Sequence, residues 1–129
     1  MDSTVDFIQA RMYYSDMLNY KKRPKEAAQQ MKAAYESSKK IFGEDSGQLL
    51  FCLNHYILHL TFAEEYEEAH SQLEKVKSMV ERRKTQPVAY CYLMMGVCQS
   101  YGSMKSHSHF ANEIEKLKEF MKASHMNEA

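Results

Sequence analysis

Residues 27–69 read AAQQMKAAYESSKKIFGEDSGQLLFCLNHYILHLTFAEEYEEA, and this stretch determines the fold that we predict. A small residue anchors a helical face at Ala27, and the same pattern returns 42 positions later at Ala69. From these anchors, predicted core positions recur at i, i+4, i+7 and i+11, which lie on one face of an α-helix. A repeat of about 42 residues with two amphipathic helices is typical of a stacked helical array.

The repeat extends over three copies, which are related by steps of 42 and then 41 residues. In the first helix of each copy, the positions predicted to be buried are Arg11, Tyr14, Ser15 and Leu18; Leu53, Tyr56, Ile57 and Leu60; and Met94, Val97, Cys98 and Tyr101. In the second helix they are Ala27, Met31, Ala34 and Ser38; Ala69, Leu73, Val76 and Val80; and Phe110, Ile114, Leu117 and Met121. Any all-helical bundle shares this spacing, but a register that persists through the turns favours an array.

Capping and breaking residues divide the chain into six predicted helices. Their predicted bounds are Ser3 to about Tyr20, Pro24 to Phe42, Ser46 or Gly47 to about Phe62, about Glu65 to Arg83, Pro87 to about Tyr101, and about Ser108 to Ala123. Alternating apolar and polar runs are absent, so no strand is predicted. We therefore expect an all-α fold: one domain over residues 1–129, a right-handed solenoid of about three helix-turn-helix pairs with repeats at about 4–44, 46–85 and 87–123.

Composition excludes several classes of protein. The chain has 17 basic and 17 acidic residues, so no net positive charge would attract nucleic acid or an anionic membrane. The longest uncharged run contains Gln, Pro, Ser and Gly, and the first residues lack the pattern of a signal peptide. Three cysteines at unrelated spacings give no disulfide framework. We expect an intracellular protein, cytoplasmic or nuclear, without nucleic-acid or membrane partners.

The chain resembles tetratricopeptide repeats (TPR), in the longer variant found in kinesin light chains, over roughly residues 20–83. Residues 27–46 resemble the second helix and loop of that variant, with Gly43 and Asp45 at the family's glycine and aspartate. The following segment matches the family at Leu53, Asn54, Tyr66, Glu67, Glu68 and Ala69. The chain departs from it at Ile57, where the family has a small residue, at Glu64, where it has glycine, and at Met12 and Met95, where it has asparagines. The resemblance implies the fold and a role as an adaptor, but not the family's acidic and aromatic peptide ligands.

In such arrays the first helices of successive pairs line a concave groove, and this groove is the predicted binding site for a peptide or helix of another protein. Its predicted lining is mixed polar, methionine and aromatic, which suits such a ligand. The residues are Gln9, Met12, Asp16 and Asn19 in copy one, Phe51, Asn54, Leu58 and Thr61 in copy two, and Tyr92, Met95 and Gln99 in copy three. The alternative is a solvated helix face that binds nothing.

A second surface is predicted on the first helix, where Tyr13, Met17 and Tyr20 lie away from the buried set. The outer face of a terminal repeat is expected to be polar, and this one is not. It therefore indicates end-on packing in a homodimer or a larger complex, in which the protein is a structural subunit. The alternative is ordinary surface tyrosines, because single exposed apolar residues are common.

Signals for catalysis are weak, so we predict no enzyme activity, no cofactor and no metal site. His55 and His59 have the i, i+4 spacing that zinc can use, but no carboxylate near them in sequence completes a ligand set. The four glycines are scattered and form no phosphate-binding loop. No nucleophile motif is present.

Overall fold

The computed structural model describes residues 5–124, and within these residues it contains six α-helices and no strand. The helices are α1 (Val5–Tyr20), α2 (Pro24–Phe42), α3 (Gly47–Phe62), α4 (Tyr66–Glu81), α5 (Pro87–Ser103) and α6 (His107–Ala123). The predicted all-α class is confirmed, and the helices match their predicted bounds to within about two residues. The predicted start at Ser3 lies outside the described residues.

The chain forms two compact units, Met1–Gln72 and Leu73–Ala129. The first unit contains α1, α2, α3 and the beginning of α4, and the second contains the rest of α4 with α5 and α6. Each unit is described by itself below. The single domain over residues 1–129, with its three repeat bounds, stays a prediction.

Local chemistry sets the helix ends. Pro24 and Pro87 occupy the first turn of α2 and α5, where the missing N–H is not needed. The Ser46 hydroxyl accepts a hydrogen bond from the Leu49 N–H at 3.0 Å and caps α3. Gly43 ends α2 with φ of 85°, a conformation that glycine adopts without steric cost.

The turns that follow α1, α3 and α5 are alike. Each contains a non-glycine residue with positive φ: Lys22 (63°), Glu64 (59°) and Lys105 (60°). In each, the next residue's N–H reaches back five positions with an N···O distance of 2.9 Å, as in a Schellman motif. The three residues are 42 and 41 positions apart, so the sequence repeat is present in the backbone. Glu64 adopts this left-handed backbone although it carries a Cβ, which makes the conformation costly.

In the first unit, α2 packs against both α1 and α3. Ala27, Ala34 and Ser38 on α2 are fully buried, as predicted, and their small side chains let the neighbouring helices approach closely. The predicted buried sets of α2 and α3 are confirmed in full, and the Tyr35 and Tyr56 rings stack at 6.1 Å.

The prediction for α1 is wrong at Tyr14, which is 53% exposed. Ile8 and Met12 are buried instead, together with Ser15 and Leu18. The reason is that α1 contacts α3 as well as α2, so its buried face turns towards Ile8 and Met12. Arg11, predicted to be buried, is half-buried and donates a hydrogen bond from Nη1 to Gln30 Oε1 at 2.8 Å.

In the second unit, α5 packs against α6, and the predicted buried set of α5 is confirmed. On α6 only Leu117 of the predicted set is buried, whereas Phe110 is exposed and Ile114 and Met121 are half-buried. Glu113 takes the other buried position of α6, one turn before Leu117. The prediction missed this position because an unpaired glutamate is almost never fully buried.

Glu113 is buried because Lys77 of α4 neutralises it. Lys77 Nζ lies 2.8 Å from Glu113 Oε2 and 3.4 Å from the hydroxyl of the fully buried Tyr101, which in turn donates to Glu74 at 3.3 Å. Although burial alone lowers the pKa of Lys77, the hydrogen bond and charge of Glu113 outweigh it, and the pKa is raised above its usual value. Lys77 therefore stays charged, and the pair joins α4 to α6.

We predict that Lys77→Met destabilises the protein by about 2–3 kcal/mol, because it leaves Glu113 buried without its partner. The double variant Lys77→Met with Glu113→Leu should recover most of this loss, since it removes both charges. Chemical denaturation measures the free energy of unfolding of both variants. Lys116→Met is the matched control, because Lys116 lies 3.8 Å from the same carboxylate but is well exposed. Equal losses for Lys77→Met and Lys116→Met would contradict the prediction.

We also predict that Glu64→Gly raises the free energy of unfolding by roughly 0.5–1 kcal/mol. The strain energy that glycine removes at this left-handed position is larger than the additional backbone entropy that glycine loses on folding. Thermal or urea denaturation measures the change. Glu64→Ala serves as the control, since alanine keeps the Cβ and so gains nothing. If alanine stabilised the protein as much as glycine, the effect would come from the lost charge and not from the backbone.

Candidate functional site

The most distinctive polar cluster among the described residues consists of Asp16 on α1 and of His55 and His59 on α3. The two histidines are four positions apart, so they lie on one face of α3. Because α1 contacts α3, Asp16 lies beside them although 43 residues separate it from His59. All three residues belong to the first unit.

Both imidazoles converge on one carboxylate oxygen. Asp16 Oδ1 lies 3.0 Å from His59 Nε2 and 3.5 Å from His55 Nε2. One ligand atom of each residue lies within 4.8 Å of those of the other two. The side chain of His59 is 1% exposed, that of His55 25% and that of Asp16 52%, so the cluster has a buried side and an open side.

Burial lowers the pKa of His59, and the hydrogen bond and charge of Asp16 oppose that shift only in part. The ring is therefore neutral near pH 7. Its Nε2–H donates to Asp16, which leaves Nδ1 as the unprotonated nitrogen. This Nδ1 atom is buried and has no hydrogen-bond partner among the described residues, a state that costs about 1–3 kcal/mol.

A row of rings on α3 includes both histidines. The ring centroids of Phe51 and His55 are 5.5 Å apart, those of His55 and His59 5.7 Å, and those of His59 and Phe62 6.2 Å. Phe51, His55, Leu58 and Phe62 recur at i, i+4, i+7 and i+11, so they form one stripe. The three apolar members of this α3 stripe are between 40% and 58% exposed.

The predicted groove residues differ in their exposure. Gln9, Asp16, Phe51, Asn54, Leu58, Tyr92, Met95 and Gln99 are exposed, whereas Asn19 and Thr61 are half-buried. Thr61 Oγ1 donates to the Ile57 carbonyl at 2.8 Å, so this hydroxyl proton is already used. Met12 is buried at 5% exposure, because α1 turns this side towards the core, and it belongs to the packing of the first unit.

The predicted end-on residues Tyr13, Met17 and Tyr20 are all exposed, and Tyr14 adds to them. Gln9, Tyr13, Asp16 and Tyr20 recur at i, i+4, i+7 and i+11, and Gln9 Nε2 donates to the Tyr13 hydroxyl at 3.1 Å. Two of the three end-on residues thus share a helix face with Asp16. The predicted groove and the predicted end-on surface, which the sequence analysis treats as distinct, therefore overlap on α1.

In the second unit, Tyr92, Met95 and Gln99 continue a stripe that begins at Val88, which is 74% exposed. An apolar cleft at the start of α5 is lined by Gln86, Pro87, Val88, Ala89, Tyr92 and Leu93. Sequence reasoning missed Val88 and, on α3, Phe62. Both lie one turn beyond predicted groove residues, so extending each groove face by a turn would have found them.

The cysteines offer little reactivity. Cys52, Cys91 and Cys98 are buried, and burial raises the pKa of all three thiols. The thiolate, which is the reactive form, is therefore disfavoured. Within the described residues no disulfide forms.

Comparison of the chain with protein-family models, with curated proteins and with solved structures gave no match. None of the described helices has both the length and the apolar character needed to cross a membrane. The resemblance to kinesin-light-chain repeats stays a prediction. Any inference about function therefore depends on the exposed side chains of α1, α3 and α5.

Proposed function

We propose that this protein is a non-catalytic interaction module that binds a peptide or helix of another protein along its first helices. The observation that carries the proposal is the α3 stripe, which leaves Phe51, Leu58 and Phe62 exposed at helical spacing. Contiguous exposed apolar side chains are typical of surfaces that bind other proteins. The polar side chains of Asn54 and Asp16 beside this stripe would orient a ligand.

The finer architecture that we propose is a right-handed solenoid of the TPR type. Two observations support it: the same left-handed turn recurs at Lys22, Glu64 and Lys105, and small residues are buried at equivalent positions at Ala27 and Ala69. A repeated turn of fixed geometry gives successive hairpins the same shape, which stacking requires. In such an array α1, α3 and α5 would line one surface.

The chemistry of the α3 stripe favours an amphipathic helix or extended segment with two or three apolar anchors. Phe51 and Phe62 are eleven positions apart, about 16 Å along a helix, a distance that three turns of a partner helix would span. Apolar anchors spaced at i, i+4, i+7 and i+11 on such a partner would lie along the same distance and contact Phe51, Leu58 and Phe62. Specificity would come from the Asn54 amide and the Asp16 carboxylate beside the α3 stripe.

A second candidate is a structural subunit, or a homodimer, that packs through α1. The observation that favours it is the exposure of Tyr13, Tyr14, Met17 and Tyr20 on one helix, with Tyr20 86% exposed. Tyrosine and methionine are enriched in protein interfaces because they bury a large area at a modest entropic cost. In this case α1, and not α3, would carry the binding energy.

We predict that Phe51→Ser with Leu58→Ser abolishes recovery of the bound partner, because truncating each central apolar contact costs about 1–3 kcal/mol of binding. Affinity purification with mass spectrometry, using wild type and variant side by side, measures this. Ile41→Ser is the matched control, since Ile41 is similarly exposed but lies on α2. A partner that survives the double variant, in a protein of unchanged circular dichroism, would contradict the proposal.

For the second candidate, Tyr13→Glu with Met17→Glu should convert an oligomer into a monomer, because two carboxylates would be placed in an apolar contact. Sedimentation velocity over a range of concentrations measures the molar mass. If wild type and variant were both monomers, and partner recovery were unchanged, the α1 surface would have no such role. The variant Phe51→Ser with Leu58→Ser should leave the molar mass unchanged.

A further inference from the structure

We propose that Asp16, His55 and His59 form a binding site for a divalent transition-metal ion of the zinc class. The proposal does not depend on the interaction module described above, which rests on the apolar side chains of α3. It rests on the convergence of two imidazoles and one carboxylate from two helices.

The spacing of the ligand atoms suits such an ion. Zinc forms bonds of about 2.0–2.2 Å to imidazole and carboxylate, so tetrahedral ligand atoms are about 3.4 Å apart. Asp16 Oδ1 lies 3.0 and 3.5 Å from the two Nε2 atoms, and all three residues offer atoms within 4.8 Å of one another. Histidines at i and i+4 of a helix can bind one zinc ion together.

The donor set selects among metals. Imidazole nitrogen favours zinc, cobalt, nickel and copper, whereas calcium and magnesium require a larger number of oxygen ligands. Three protein ligands leave a fourth position, which would face the open side formed by Asp16 and His55. Water, or a side chain of a bound protein, would fill that position.

The arrangement of His55 separates a metal site from a purely structural hydrogen bond. A contact that only joined α1 to α3 would need Asp16 and His59 alone. His55 Nε2 nevertheless lies 3.5 Å from the same oxygen, a distance that is long for a hydrogen bond. Two nitrogens that converge on one oxygen without both bonding it well are better explained by an ion that all three share.

His59 gives an independent indication. Its side chain is 1% exposed and its Nε2 faces Asp16, so packing holds the ring in an orientation that suits a ligand. Its Nδ1 has no partner among the described residues, and an ion bound at Nε2 would leave this unchanged. When Nε2 binds the ion, the ring proton moves to Nδ1, which lacks an acceptor. We therefore expect weaker binding than in a closed four-ligand site.

The test is a titration of the metal-free full chain with Zn²⁺ in competition with a chromophoric chelator, together with the visible spectrum of the Co²⁺ form. We expect one ion per chain. Asp16→Asn and His55→Gln should each weaken binding about 100-fold or more, since loss of a second-sphere partner alone costs 10–100-fold. Asparagine keeps the shape of Asp16, and His55 is partly exposed, so both variants should fold.

His107→Gln is the control, because it removes an exposed histidine outside the cluster and should leave the affinity unchanged. Absence of saturable binding to the wild type would overturn the proposal. So would a loss of affinity that followed His107→Gln, or that was equal in all three variants, since the ion would then bind elsewhere. Partner recovery by the metal-free protein would leave the interaction module standing in either case.

Discussion

The close packing of α2 against its two neighbours is the constraint on which the rest of the first unit depends. Ala27, Ala34 and Ser38 are fully buried on that helix, and side chains this small allow helix axes to approach. Because α1 and α3 both pack on α2, they also contact each other. This contact turns Met12 into the core and places Asp16 against the histidines of α3. A larger residue at Ala27 or Ala34 would therefore disturb the polar cluster as well as the packing.

The same packing decides which side chains remain for binding. On α3 the buried set takes one face and leaves Phe51, Leu58 and Phe62 together on another, with His59 buried at its margin. The exposed apolar area therefore arises because α3 has apolar residues on nearly every side and its packing in the first unit leaves one stripe uncovered. An exposed apolar stripe of this kind would gain burial energy if another chain covered it, and this supports the proposed binding surface on α3.

Much of this could be predicted from the sequence. Capping residues located α2, α3 and α5, and the buried sets of α2 and α3 followed from a single apolar face. The buried face of α1 could not be predicted in this way, because apolar and aromatic side chains surround that helix. Only the contact with α3 determines which of them are buried. The cluster was missed because Asp16 and His59 are distant in sequence, yet the repeat contained a signal. Asp16 aligns with Leu58, next to His59, so stacked first helices would have brought them together.

His59 in the first unit and Glu113 in the second are both buried on a helix, but their partners differ. Glu113 forms an ion pair with Lys77, which also donates a hydrogen bond to Tyr101. The charge of Lys77 offsets the cost of burying the Glu113 carboxylate, and the ion pair joins α4 to α6. His59 donates one hydrogen bond from Nε2 to a carboxylate that is itself half exposed, and its Nδ1 has no partner among the described residues. The Lys77–Glu113 pair is balanced in charge, whereas the cluster offers a carboxylate and two imidazoles at an open side, as the proposed cation requires. The contrast between them is why a ligand is inferred at His59 and none at Glu113.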